Sequence, residues 1–232
     1  AQRLQDAGIT CVEELYQAPE EKLQAVLGEG PARIQRMKKL AEAKIFGCCF
    51  RMGDAPVPSS SLALDIETSP NISYIWLIGI CRNGSYIRFY ADNPSQEPII
   101  LQQAARFLQE HREPILIYSG NSFDEKILRK RWKHHFSTPL EIDRSRFQDV
   151  LKWMNSHLAL PLKHYRLKDV GVYFGYPFRF PHKNGLDCAL AYVRHLKTGT
   201  PVPSWVFLYN EDDTRSVLYL SRIFQQLPSD KG

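Results

Sequence analysis

Ser61-Leu62-Ala63-Leu64-Asp65-Ile66-Glu67-Thr68 is an apolar run that closes on two acids, and its reading decides how the rest of the chain is read. The run is short, rich in branched apolar residues and followed by Ser69-Pro70, which is the pattern of a strand entering a turn. Side chains alternate faces along a strand, so Asp65 and Glu67 point into one layer while Ile66 points into the other. Two acids on one face repel. One takes up a proton, the strand end stays wet, or a divalent cation is shared between them. Taken alone, Asp-x-Glu is read most simply as a strand running out into a solvated turn, so its meaning depends on acids elsewhere.

The chain has 232 residues and 44% hydrophobic content, enough for one sizeable core and a small appendage. It contains no apolar run of about 18 residues and no basic-then-apolar leader, so no membrane segment and a cytoplasmic location are expected. It opens on Ala1 in a helical pattern, and a fragment of a longer polypeptide is expected. Cys11, Cys48, Cys49, Cys81 and Cys188 include no C-x-x-C pair, which argues against a zinc site or a disulfide framework. The net charge is +5, and since acids and bases balance over residues 1–58 the surplus lies beyond them. Its densest cluster is Lys126, Arg129, Lys130, Arg131 and Lys133 with His134 and His135. Such a cluster is either a polyanion-binding surface or a solvated helix face.

Short helices are expected over residues 1–45. Thr10 is expected to cap one over 12–17, Pro19 to open another over 20–27, and Pro31 to start a third over 32–43. Between the last two, Gly28-Glu29-Gly30 resembles the turn of a helix-hairpin-helix module, whose free backbone N–H groups hold a phosphate. Arg33, Arg36, Lys38 and Lys39 would then be the phosphate contacts. Glu29 stands where an apolar residue is usual and adds a negative charge, so phosphate binding and a purely structural docking role both stay open. The segment 1–52 is read as an all-helical domain, 53–60 as a Pro/Ser-rich linker, and 61–232 as one α/β domain. Within the latter, strands are expected at 62–67, 74–81, 86–90 and 115–118, with a hairpin at Asn83-Gly84. Helices are expected over about 97–111, from Asp124, and over 150–158, 167–174, 187–197 and 204–227.

Two further acidic sites follow the first. Asp124 sits in the first turn of the helix after a strand, where a lone acid is ordinarily a helix N-terminal charge worth about 0.3–1 kcal/mol. Tyr209 and Asp213 are four residues apart on the last helix and therefore share a face. Asp212 and Glu211 turn away from Asp213 by about 100° and 200°, and they are left out of the site along with Asp149 and Asp187, which are read as structural.

In that order, Asp65-x-Glu67, Asn121-x-Phe123-Asp124 and Tyr209-x-x-x-Asp213 resemble the three motifs of DEDD (DnaQ-like) 3′–5′ exonucleases of the ribonuclease H-like superfamily. Leu208 stands five residues before Asp213, where the histidine subtype carries its His, so the tyrosine subtype is indicated. Leu167-Lys168-Asp169-Val170, Gly175-Tyr176 and Gly185-Leu186-Asp187 are similar to the C-terminal exonuclease-like domain of large prokaryotic RecB-family nucleases. The resemblance implies an α/β fold with a mixed sheet flanked by helices. It also implies two Mg²⁺ or Mn²⁺ ions about 3.5–4 Å apart on Asp65, Glu67, Asp124 and Asp213, with Tyr209 orienting the attacking water. The substrate would be a single-stranded or frayed 3′ end, contacted by Thr68, Asn121, Phe123, Lys126, Arg129 and Lys130, with Arg33 and Arg36 in the helical segment. Tyr74, Trp76 and Phe123 are candidate base-stacking aromatics. Other domains of a longer nuclease or helicase would be partners. The alternative is a catalytically silent nucleic-acid-binding or scaffold domain.

Overall fold

The structure is a computed structural model and describes residues 2–230. In chain order the helical start comprises α1 (Gln2–Asp6), α2 (Val12–Gln17), α3 (Glu20–Leu27) and α4 (Pro31–Phe46). Next come β1 (Phe50–Met52), β2 (Leu62–Thr68), β3 (Ile75–Arg82), β4 (Ser85–Tyr90), α5 (Glu97–Glu110), β5 (Ile115–Ile117) and α6 (Phe123–His135). The remainder is β6 (Phe147–Asp149), α7 (Val150–His157), β7 (Leu158–Ala159), α8 (Leu167–Tyr173), α9 (Gly185–Thr198), α10 (Ser204–Gln226) and β8 (Ser229–Asp230). The chain divides into two compact units, and the boundary cuts it more than once: Met154–Tyr165 and the residues from Leu227 onward belong with the segment up to Pro56.

In the larger unit the sheet order is β4-β3-β2-β5-β6. β4, β3 and β2 run antiparallel to their neighbours, and β2, β5 and β6 are parallel. The mixed sheet flanked by helices is the α/β architecture expected. The β3–β4 turn is Asn83-Gly84, with both residues at positive φ (49° and 81°), the backbone that a two-residue hairpin with right-handed strand twist requires. Alternation along β2 sorts its side chains into two layers. Leu62, Leu64 and Ile66 join Ile78 and Ile80 of β3 in the main core, against Ile100, Leu101, Ala104 and Leu108 of α5 and Ile127 and Leu128 of α6. The opposite face is covered by α10, which packs on β2 and β3. Asp65 and Glu67 lie on that face. Deep in the main core, the Glu97 carboxylate accepts from Ile75 N, Arg131 and His135. Burial pushes Glu97 upward, but those three donors hold it below the usual carboxylate range.

The smaller unit departs from the expected all-helical domain. Its helices bury Ile9, Ala18, Leu23 and Ile34, but β1 pairs antiparallel with β7 and parallel with β8 in a three-stranded sheet. These strands are two or three residues long, too short to leave a periodic signal. The cap of α2 is Cys11, not Thr10: Cys11 Sγ accepts from Glu14 N, and the Glu14 carboxylate accepts from the backbone N–H of Cys11 and of Thr10. α3 and α4 meet at Gly28-Glu29-Gly30, where Gly28 is left-handed (φ 70°) and Pro31 occupies the first helical position. Arg33 is exposed and paired with Glu29 at 3.1 Å. Arg36 is half-buried, with Nη1 unpartnered and the guanidinium pushed down by burial.

Candidate active site

Three elements bring the acids together. β2 supplies Asp65 and Glu67, the start of α6 supplies Asp124, and the middle of α10 supplies Tyr209 and Asp213. Glu67, Asp124 and Asp213 retain only 5%, 5% and 7% of their accessible surface.

Asp124 is placed by a loop built around another acid. Asp149, at the end of β6, accepts from the backbone N–H groups of Ser119, Gly120, Ser122 and Lys152 and from Ser119 Oγ. Ser119 Oγ in turn accepts from Phe123 N at 2.9 Å and takes the cap role at the start of α6. Ser122 sits at positive φ (57°), an uncommon backbone for serine that the Asp149 bonds hold in place. The backbone N–H of Ile66, between the two β2 acids, opposes the upward push on the Asp124 carboxylate.

Burial raises all four carboxylates, and repulsion from the other acids of the group adds to it at Asp65 and Glu67. Asp65 is raised well above its ordinary value by burial and then by Glu67, Asp213 and Asp124. Burial and Asp213 push Glu67 up to about 8, against a hydrogen bond from Asn210. Asp124 is pushed up to about 7 by burial, with Asp149 adding. Asp213 also reaches about 7 through burial, opposed by Lys168 and by a hydrogen bond from Tyr209. The Tyr209 phenol, raised by burial and by Asp213, Glu67 and Asp65, stays neutral, and its hydroxyl proton opposes the upward push on Asp213.

Lys168 is a participant that sequence reasoning did not single out, although it lies inside the Leu167–Val170 stretch that carries part of the family resemblance. Its Nζ stands 3.7 Å from the centre of the Tyr209 ring and donates to the carbonyls of Phe180 and Lys183. Burial pushes it down, and Asp213 and Glu67 oppose that. Asp212 and Glu211 are committed to Arg179, as their helical phase suggested. Asp187 closes a capping box with Asn184 at the start of α9.

The expected substrate contacts divide. Thr68 is half-buried at an irregularity in the β2–β3 register, and Asn121 is exposed. Phe123 packs against the main core and Trp76 is fully buried, stacked on Tyr192 at 4.5 Å. Trp76 therefore offers no platform for a base. In the basic cluster Arg129 pairs with Glu125 and donates to the carbonyls of Leu140 and Ile142, while Arg131 is engaged with Glu97. Composition could not tell these buried pairs from surface charge. Lys126 and Lys130 are exposed. Neutralising both should lower the slope of single-strand affinity against salt by about 0.7 for each phosphate that is no longer paired with a lysine. Arg129→Ala should cost stability and leave the slope unchanged. A slope unmoved by the double lysine change would make that helix face a solvated one.

Among the described residues, no group of three or more His, Cys, Asp or Glu side chains is arranged to hold a metal ion. The donor chemistry nevertheless fits a hard divalent cation: four carboxylates that repel one another, with Asp213 Oδ1 buried and without a partner.

The model of a family described as RNase H superfamily, RNase_H_2, matches residues 62–225. The chain belongs to the RNase H superfamily. The matched span begins at the first residue of β2 and ends within α10, so it takes in all five site residues. No curated protein matches the sequence. Membership of the RNase H superfamily brings a nuclease-like fold and nucleic acid as the general substrate class. Among the described residues no helix is long and apolar enough to cross a membrane.

Proposed function

We propose that this RNase H superfamily chain is a metal-dependent 3′–5′ exonuclease of the tyrosine DEDD type, acting on single-stranded or frayed ends. The observation that carries the reading is the gathering of Asp65, Glu67, Asp124 and Asp213 in one buried, mutually repelling group beside Tyr209. Mg²⁺ or Mn²⁺ ions on these four acids would supply Lewis acidity and an activated water. The residues' own parts follow from their places. Asp65 and Glu67 present oxygens from a rigid strand, and Asp124 from a helix start pinned by Asp149. Tyr209, too weak an acid to lose its proton, holds its hydroxyl at Asp213, where it would orient a water for attack. Lys168, above the Tyr209 ring, is placed to meet a phosphate oxygen. Removal from a 3′ end is what the resemblance of the three motifs to DEDD exonucleases implies.

In this reading the larger unit, Val57–Trp153 with Arg166–Gln226, is the catalytic domain of a longer cytoplasmic RecB-type nuclease, with other nuclease or helicase domains as partners. The helix-hairpin-helix-like turn with Arg33 and Arg36 would be an auxiliary phosphate contact. A silent nucleic-acid-binding or scaffold domain is the second reading, favoured by the lack of a preformed metal cluster among the described residues. One experiment separates them: digestion of 5′-labelled DNA and RNA strands with Mg²⁺ or Mn²⁺, with Asp213→Ala as control. A ladder shortening from the 3′ end is expected. Binding without cleavage would support the silent domain, and internal cuts would remove the exonuclease assignment.

A further inference from the structure

An amide from α10 reaches the first of the two β2 acids. Asn210 is fully buried, and its Nδ2 donates to Asp65 Oδ2 at 2.6 Å. Its Oδ1 accepts from the Tyr86 hydroxyl on β4 at 2.8 Å. The Tyr86 phenol has a proton to give, which orients the amide with Oδ1 toward Tyr86 and Nδ2 toward Asp65. Space for it comes from Gly79, which pairs directly across from Asp65. A Cβ on Gly79 would lie 1.7 Å from Asn210 Oδ1 and 2.8 Å from its Cγ, so any side chain there would displace the amide.

We infer that Asn210, oriented by Tyr86 and admitted by Gly79, is a positioning residue that fixes the Asp65 carboxylate for a divalent cation and so sets the affinity for it. The inference rests on the nuclease reading above. A neutral donor suits this task. An arginine or lysine in its place would fix the carboxylate equally well but would cancel the charge that draws a cation. The amide leaves that charge intact, and the carboxylate keeps lone pairs for a metal. Tyr86 supplies the direction: without its hydroxyl, Asn210 is free to turn its oxygen toward the carboxylate, acceptor against acceptor. Tyr86→Phe alters no atom bonded to either acid, yet it should be felt in metal binding.

The test uses the full chain, with Mn²⁺ binding followed by calorimetry and the Mn²⁺ concentration for half-maximal cleavage measured in parallel. Tyr86→Phe is expected to weaken Mn²⁺ binding about 10-fold, and Asn210→Leu and Gly79→Ala about 10–100-fold, the range for removing the partners of metal ligands. Cleavage by Tyr86→Phe should recover at saturating Mn²⁺, and its metal-free melting temperature should stay close to the wild-type value. A merely structural amide would give the converse, a lowered melting temperature with unchanged Mn²⁺ affinity, and would overturn the inference. So would tighter Mn²⁺ binding by Asn210→Leu, since the amide would then be a competitor of the cation. If Asn210→Leu or Gly79→Ala fails to fold, Tyr86→Phe alone decides. A wild-type protein that binds no Mn²⁺ removes the nuclease reading together with this inference, whereas wild-type binding with unmoved variants removes only the inference.

Discussion

An Asp213→Asn protein is expected to lose cleavage and, without divalent cations at pH above 8, to melt at a higher temperature than the wild type. Asp213 is buried, its Oδ1 lacks a partner, and its charge is the second cause, after burial, of the upward push on Glu67. Asparagine keeps the shape but removes the charge. The metal-free fold is relieved of repulsion, a gain of about 0.5–2 kcal/mol on the scale of stability released at functional sites. Cleavage should fall by about 10⁴-fold or more, as when one member of a catalytic unit is removed. Tyr209→Phe should differ in kind. It keeps the ring and every carboxylate, so Mn²⁺ affinity should hold while single-turnover cleavage slows about 10²–10⁴-fold. An Asp213→Asn protein with wild-type rates, or one that melts lower without metal, would contradict the role given to that acid. Wild-type speed in Tyr209→Phe would make the tyrosine a packing residue.

The metal-free protein should also lose stability as pH rises from about 5 to about 8. In the folded chain Glu67 titrates at about 8 and Asp124 and Asp213 at about 7, against 4.5 and 3.8 for free groups. Between those limits the folded state holds protons that the unfolded chain has released, so unfolding is favoured as protons are withdrawn. The contribution is complete below the unfolded values and is lost as pH climbs through the folded ones. Glu97 and Glu211 work in the opposite sense, because their values are lowered, and their contribution is already in place above pH 5. A melting temperature about 5 °C or more lower at pH 8.5 than at pH 5.5 in a chelator is expected, with Mg²⁺ cancelling most of the drop. A flat or rising profile would show that these acids do not carry the burden of burial assigned to them.

How much of this was legible depends on the range of each signal. The alternation in β2 is local, so the shared face of Asp65 and Glu67 could be read from eight residues. The hairpin at Asn83-Gly84 and the helical phase of Tyr209 and Asp213 are local too. Asn210 left a trace that went unread, since it stands three residues before Asp213 and therefore on a neighbouring part of the same face. Its importance comes from Gly79 and Tyr86, more than 120 residues away, and no periodicity reports that. The same holds for Arg131, whose partner Glu97 lies on α5, and for the bonds of Arg129 to the carbonyls of Leu140 and Ile142. It holds as well for Asp149, recognised only as structural, whose bonds to Ser119, Gly120 and Ser122 make the loop that presents Asp124.

The three-stranded sheet of the smaller unit has a consequence in time. Arg51 of β1 donates to the carbonyl of Leu227, 176 residues further along the chain, and pairs in register with Ser229. During synthesis at about 5–20 residues per second, α1 to α4 leave the ribosome with one edge of β1 unpaired for roughly ten seconds or more. An open edge is a template for another chain, and closing so long a loop is slow. The lysine- and arginine-rich helix α4 that immediately precedes β1 keeps the nascent segment charged through that interval, which disfavours edge-to-edge association until β8 arrives.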